Sequence, residues 1–321
     1  MSRISRYQES MARFMRNKSC VNDLDPKVRD NILEMIADID HVASILLLTI
    51  LNNQGKKNNV TLHGYYMASG IEVLLIIATL RDREKYYVTK FGVDGVRKII
   101  SDLSAQVNIC LSQNIESVQT HHTKDKTVKI FHSCLRAINR RVPRLLDETP
   151  LELDEPIRRS DIVKYHFTDQ AQMKDKLKGL RQVKAPSLTA FVEDKYGTVS
   201  RLALVTGWLL GGGDEKLVPS LERLGTSFSW IIKLANDFVN LEADLGSGDP
   251  GSYLRNYIIN FGFQNAFEVF LDNKQKFIEG CILMDIYTNT VKEIIDLVEA
   301  KIDQIIEKSS PDMKSQYTLE E

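Results

Sequence analysis

The chain has 321 residues, is 43% hydrophobic, and carries 42 lysines and arginines against 43 aspartates and glutamates for a net charge of -1. That is apolar content enough for a substantial core, and a charge balance that predicts neither a nucleic-acid nor an acidic-membrane partner. Four cysteines, Cys20, Cys110, Cys134 and Cys281, lie far apart without CxxC or Cys/His spacing, which argues against a zinc motif and predicts free thiols in a reducing compartment, the cytoplasm. No stretch of low complexity or Pro/Gly/Ser-rich composition divides the sequence. One large helical domain over residues 25–310 is expected, between a basic N-terminal arm (1–24) and a polar tail (311–321).

The arm, MSRISRYQESMARFMRNK, lacks the apolar core of a secretory signal. From Pro26, the segment DPKVRDNILEMIADIDHVASILLLTIL reads as one long helix with Asp25 as N-cap and proline at its first position. Its second half is apolar nearly all round, as in a helix at the middle of a bundle. The Gly- and Asn-containing run NNQGKKNN, Asn52 to Asn59, is expected to stop it, and a second helix follows over roughly Leu62 to Arg83. The most apolar runs, Val42 to Leu51 and Ile71 to Leu80, are about half the ~20 residues needed to span a bilayer, so buried helices are expected and transmembrane segments are not. His41 and His63 read as hydrogen-bonded core residues.

Helical periodicity continues through VDGVRKIISDLSAQVNICLSQNIESV and TVKIFHSCLRAINRRVPRLL, and PLELDEPIRRSD reads as a charged loop. His121 and His122 are adjacent and so cannot share a helical face, which marks an exposed loop and not a metal site. Pro186 is expected to kink or start a helix, and Gly211 to Gly213 to end the next one. In RLGTSFSWIIKLANDFVNLEADL, Arg223 to Leu245, Leu224, Phe228, Ile231, Ile232, Ala235, Phe238 and Leu241 mark a buried helical stripe. Asn236, Asn240 and Asp244 recur at four-residue steps beside Asp237 and Lys233. Spacing alone leaves two readings, a solvated polar face or a column of oxygen ligands for a hard cation such as Mg2+. Beyond the break at GSGDPGS, two amphipathic helices close the chain.

Three places resemble the trans-isoprenyl diphosphate synthases. Asn236-Asp237-Phe238-Val239-Asn240 stands where that family has its second DDxxD, with Asp244 at the trailing acid and Lys233 at the preceding Gln. His41, Ala43 and Ser44 match the lead-in to the first DDxxD, and Thr61 and His63 its tail, but Leu48, Thr49 and Asn52 replace the acids themselves. Lys56 and Lys57 sit where the family has an arginine pair, and Lys184 matches a diphosphate-binding lysine ahead of Leu188 and the Gly211 to Gly213 run.

The resemblance implies an all-α, isoprenoid-synthase-type helical bundle around a central cavity. In the family, facing aspartate columns hold Mg2+ ions that stabilise the departing pyrophosphate of an allylic diphosphate. By that resemblance, Asn236, Asp237, Asn240 and Asp244 form the metal wall, and Lys56, Lys57, Lys184 and Lys233 are diphosphate contacts. Amides and hydroxyls are weaker Mg2+ ligands than carboxylates, so the Mg2+ site is expected to be weakened.

The reading preferred on these residues is a polyprenyl synthetase-like protein that is catalytically silent or impaired. It would bind a prenyl diphosphate and assemble as a homodimer or as a heteromer with an aspartate-intact homologue. The alternatives are an active prenyltransferase adding isopentenyl diphosphate to an allylic diphosphate, a class I terpene cyclase using the NSE-like spacing of Asn236, Asn240 and Asp244, and a helical binding protein outside isoprenoid chemistry.

Overall fold

A computed structural model describes residues 2–37, 40–58, 60–157, 179–246 and 250–309. The expected polar tail, 311–321, lies outside them. Among the described residues the elements in order are α1 (Arg3–Asn17), a 3-10 turn (Cys20–Asp23), α2 (Pro26–Ala37), α3 (Val42–Lys57), α4 (Tyr65–Asp82), α5 (Glu84–Phe91), α6 (Val93–Val118) and α7 (Lys124–Leu146). Then come a short strand pair, β1 (Leu153–Pro156) and β2 (Arg181–Val183), α8 (Ala185–Asp194), α9 (Tyr196–Leu210), a second 3-10 turn (Glu215–Leu217) and α10 (Val218–Gly246). α11 (Pro250–Arg255), α12 (Tyr257–Phe261), α13 (Phe263–Leu283) and α14 (Asn289–Ser309) are the last elements among the described residues. The all-α architecture expected from the sequence is what is found. No helix among the described residues is long and apolar enough to cross a membrane.

The centre of the bundle is α9. Its sequence, YGTVSRLALVTGWLL, is apolar on every side, and all of its residues are buried. It packs against α3, α4, α7, α8 and α10. Backbone approaches α3 closely at Gly207, where a Cβ would stand 2.7 Å from the Leu47 carbonyl oxygen. Further along, Asn58 donates to the Gly211 carbonyl at 3.4 Å, so α3 and α9 run in the same direction. α10 runs the opposite way: Arg201 donates to the Thr226 hydroxyl at 2.7 Å, and Lys233 lies over the Tyr196 ring. The C-terminal half of α10 therefore lies beyond the N-terminal end of α9, while the C-terminal end of α3 lies beside the other end.

Several local expectations are corrected. The long helix from Pro26 is two helices. His41 holds a left-handed backbone, φ 59°, and its Nδ1 lies 3.3 Å from Oε1 of the fully buried Glu72 of α4. A residue with positive φ cannot continue a right-handed helix, so the chain breaks there. α3 does not stop at Asn52 but runs on to Lys57, with Gly55 buried inside it. Part of the charged loop pairs as β1 with β2. The Tyr257 to Leu283 stretch breaks at Gly262, φ 94°, a backbone state that glycine takes without strain. His41 is buried as expected, although its Nδ1 has no hydrogen-bond partner, whereas His63 is exposed.

Pro186 sits in the first turn of α8 and starts that helix. α7 ends on a buried lysine: Lys195, 1% exposed, points its ammonium at the carbonyls of Arg144, Leu145 and Asp147. Those carbonyls have no intrahelical partners, and a cation suits the negative end of the helix dipole. α1 is amphipathic and buries Ile4, Met11 and Met15.

Candidate functional site

The polar residues of α10 meet the C-terminal end of α4. Lys233 and Asp237 are one turn apart on the same face, which lets their side chains touch: Lys233 Nζ donates to Asp237 Oδ1 at 2.7 Å. The same ammonium lies 3.4 and 3.3 Å from Oδ1 and Oδ2 of Asp82, the last residue of α4. Lys233 is 1% exposed and Asp237 3%. Tyr196, at the start of α9, donates its hydroxyl to Asp82 Oδ2 at 2.6 Å. The other oxygen of Asp237 accepts the Tyr257 backbone N–H at 2.9 Å.

Asn256 joins this cluster to α12. Its side-chain amide donates to the Asp237 carbonyl at 3.0 Å and to Asp244 Oδ2 at 2.9 Å, while its Oδ1 accepts the N–H groups of Ile258 and Ile259 as the N-cap of α12. Arg83 reaches from the end of α4 to Asn240 Oδ1 at 3.3 Å and to within 3.9 Å of Asp244. Arg255 donates to the Asp82 carbonyl at 2.8 Å and lies over the Phe191 ring. These groups line a cavity of about 430 Å³, within the size range of small-molecule sites. Ion pairs Lys90–Glu34 and Lys301–Asp40 stand on its walls.

Burial dominates the electrostatics. It raises the Asp237 carboxyl to about 7, with the Asp82 carboxylate adding to the rise and Lys233 opposing it. On Lys233 burial acts downward, but the Asp237 and Asp82 carboxylates outweigh it and its pKa is raised. Asp244 is raised by burial against its bond from Asn256. Tyr196 is pushed well up by burial and then by Asp82, so its hydroxyl stays a donor. With several acids around one ammonium, the lysine keeps its proton and Asp237 is the group that takes one up near neutrality.

Of the residues singled out from the sequence, Lys233, Asn236, Asp237, Asn240 and Asp244 share this cavity. The others lie elsewhere. Leu48 is 2% exposed, and Thr49 bonds back to the Ile45 carbonyl at 2.8 Å. Asn52 donates to the Tyr7 hydroxyl at 3.1 Å and, with Thr49 and Lys56, lines a separate cavity beside Arg3 and Arg6 of α1. Because α3 parallels α9, that cavity and Asp237 lie at opposite ends of a 15-residue helix, roughly 20 Å long at 1.5 Å per residue. Lys57 pairs with Asp285 at 2.9 Å, and Lys184 is exposed and pairs with Glu152 at 2.8 Å.

The partners opposite Asp237 are not apparent from the sequence: Asp82, Arg83, Tyr196, Arg255 and Asn256. One signal for them exists, the charged run Arg81-Asp82-Arg83-Glu84 directly after the most apolar stretch of α4.

Magnesium, which the sequence resemblance implies for this wall, does not fit these residues as they stand. Mg2+ requires near-octahedral oxygen ligands with free lone pairs. Here both oxygens of Asp237 are engaged, Asp82 accepts from Tyr196 and Lys233, and an ammonium stands between the two carboxylates. Asn236 and Asn240 contribute amide oxygens only, and that of Asn240 is bonded to Arg83.

The fold is that of the isoprenoid-synthase helical bundle. It resembles a farnesyl/geranylfarnesyl diphosphate synthase from Zymomonas mobilis at 11% identity with a TM-score of 0.56, covering 93% of this chain and 98% of that one. A geranylgeranyl pyrophosphate synthetase from the archaeon Geoglobus acetivorans is similar at 12% identity and a TM-score of 0.57, covering 93% and 97%. A geranyltranstransferase from Thermotoga maritima is similar at 12% and 0.53, covering 95% and 97%. No family model matches the sequence, and no curated protein matches it.

Proposed function

We propose that the chain is a polyprenyl synthetase-like protein that does not elongate prenyl chains and serves as a prenyl-diphosphate-binding or partner subunit, a homodimer or a heteromer with an aspartate-intact homologue. The observation that carries this reading is the separation of the two motif regions. Thr49 and Asn52 open on a different cavity from Asp237 and Asp244, and Leu48 is buried; the acids that do share the α10 cavity, Asp82, Glu34 and Asp40, are each paired with a lysine, so no column of free carboxylates stands across from α10. Loss of a diphosphate from an allylic carbon leaves several negative charges on the leaving group. Without metals gathered between two acidic walls, that charge lacks its usual compensation.

Within this reading the cavity still suits an anion. Arg83 and Arg255 line it, and the Nε of each is buried without a hydrogen-bond partner. Tyr86, Tyr87, Leu75 and Ile232 supply apolar wall beside them.

The test is incubation of the purified protein with Mg2+, isopentenyl diphosphate and geranyl or farnesyl diphosphate. No elongated product is expected. Chain elongation would overturn the reading, and a volatile hydrocarbon from the allylic substrate alone would replace it with a cyclase. For the partner-subunit form, the protein should co-purify with an aspartate-intact homologue and change its rate.

A further inference from the structure

Two carboxylates on different helices converge on one point, and a side chain of the protein itself fills that point. The ammonium of Lys233 is in contact with Asp237 of its own helix and Asp82 of α4. Each acid is aimed there by a donor independent of the lysine: the Tyr196 hydroxyl holds Asp82, and the Tyr257 backbone N–H holds Asp237. Asp244 is held nearby by Asn256, and the adjoining cavity has room for water. Oriented carboxylates from two elements, with space for several waters, are the usual elements of a hard-cation site.

We propose that Lys233 is the resident cation of this cavity, a protein-borne positive charge occupying the position between Asp82 and Asp237 that a divalent ion would take if the lysine were absent. A lysine ammonium is a compact point charge with three donors, and it satisfies converging carboxylates without a metal. The cavity is thus metal-independent as folded, and a latent divalent site lies one substitution away. This inference deepens the functional reading above, since it rests on treating the α10 cavity as the counterpart of a synthase site, but it concerns cation occupancy and not turnover.

The probe is Mn2+, titrated into the full chain and followed by the loss of free-ion paramagnetic signal. Wild type is expected to bind no Mn2+ at this position. Lys233→Gln should bind one ion per chain at least about tenfold more tightly than wild type, a gap worth about 1.4 kcal/mol, and adding Asp237→Asn should abolish it. A folded Lys233→Gln that binds Mn2+ no better than wild type overturns the proposal. So does wild-type binding that Asp237→Asn removes, a comparison that decides the matter if Lys233→Gln fails to fold. Elongation by a protein that binds no Mn2+ would sink the functional reading and leave this one standing.

Discussion

Lys233 Nζ lies 2.7 Å from Asp237 Oδ1, one turn along the same helix and with 1% of the lysine exposed. The sequence suggests separate tasks for these residues, a diphosphate contact and a metal ligand. Packed together they neutralise each other, and Asp82 from α4 completes the arrangement. The same acids that resemble a metal motif are therefore occupied from within.

Removing one partner should expose the cost of that burial. Lys233→Met leaves the buried Asp237 and the partly buried Asp82 without their cation, a loss on the order of 3–5 kcal/mol. Urea unfolding would measure it, and the double variant Lys233→Met with Asp237→Leu should recover a large share. Equal destabilisation in single and double variants would contradict the pairing.

A pH dependence follows from the Asp237 carboxyl, which burial raises to about 7 from 3.8. The folded chain holds that proton more tightly than the unfolded chain. The group therefore stabilises the fold fully below about pH 3.8, and the contribution is lost as pH rises through 7. The melting temperature of wild type minus that of Asp237→Asn should fall between pH 4 and pH 8, ranges set by those two values. A difference that stays flat from about pH 5 to pH 8 would show that the carboxyl is not raised by burial.

Gly207 faces the Leu47 backbone, and a methyl group added there would stand only 2.7 Å from the Leu47 carbonyl oxygen. Helix propensity alone would favour alanine by about 1 kcal/mol. Overpacking against rigid backbone costs about 1–3 kcal/mol, so Gly207→Ala should destabilise despite the better helix former. Thermal unfolding decides the sign, and a higher melting temperature would mean that α3 and α9 can separate freely.

Much of the bundle is legible in the sequence because burial leaves either an unbroken apolar run, as in α4 and α9, or a one-sided stripe of helical period, as in α10. α4, α9 and α10 are apolar where they touch their neighbours, Pro186 marks the start of α8 and Gly211 the end of α9, as turn chemistry predicts. The break at His41 is not legible, since nothing in the local apolar pattern marks the left-handed backbone found there. The candidate site is half legible. A four-residue step reveals Lys233, Asn236, Asp237, Asn240 and Asp244 as neighbours, but which helix end lies opposite is fixed by chain direction, and the parallel run of α3 and α9 brings up Asp82 where the resemblance places Asn52.

The sulfur atoms of Cys20 and Cys110 lie 3.1 Å apart, one in the turn after α1 and the other in α6, both buried. An azo oxidant such as diamide should take one hydrogen from each, become the hydrazine, and leave a Cys20–Cys110 disulfide. Contact with Cys20 lowers the Cys110 thiol and makes it the attacking thiolate, whereas burial pushes the thiols of Cys134 and Cys281 up to about 12. Peptide mapping checks the linkage, and recovery of Cys134 or Cys281 in the disulfide would contradict the geometry.

The most direct measurement is a crystal structure of the protein grown with millimolar magnesium and pyrophosphate. Lys233 is expected to stay between Asp82 and Asp237, with no magnesium bound to either carboxylate. Magnesium ions seated on Asp237 and Asp244 around the pyrophosphate, with Lys233 turned away, would contradict it.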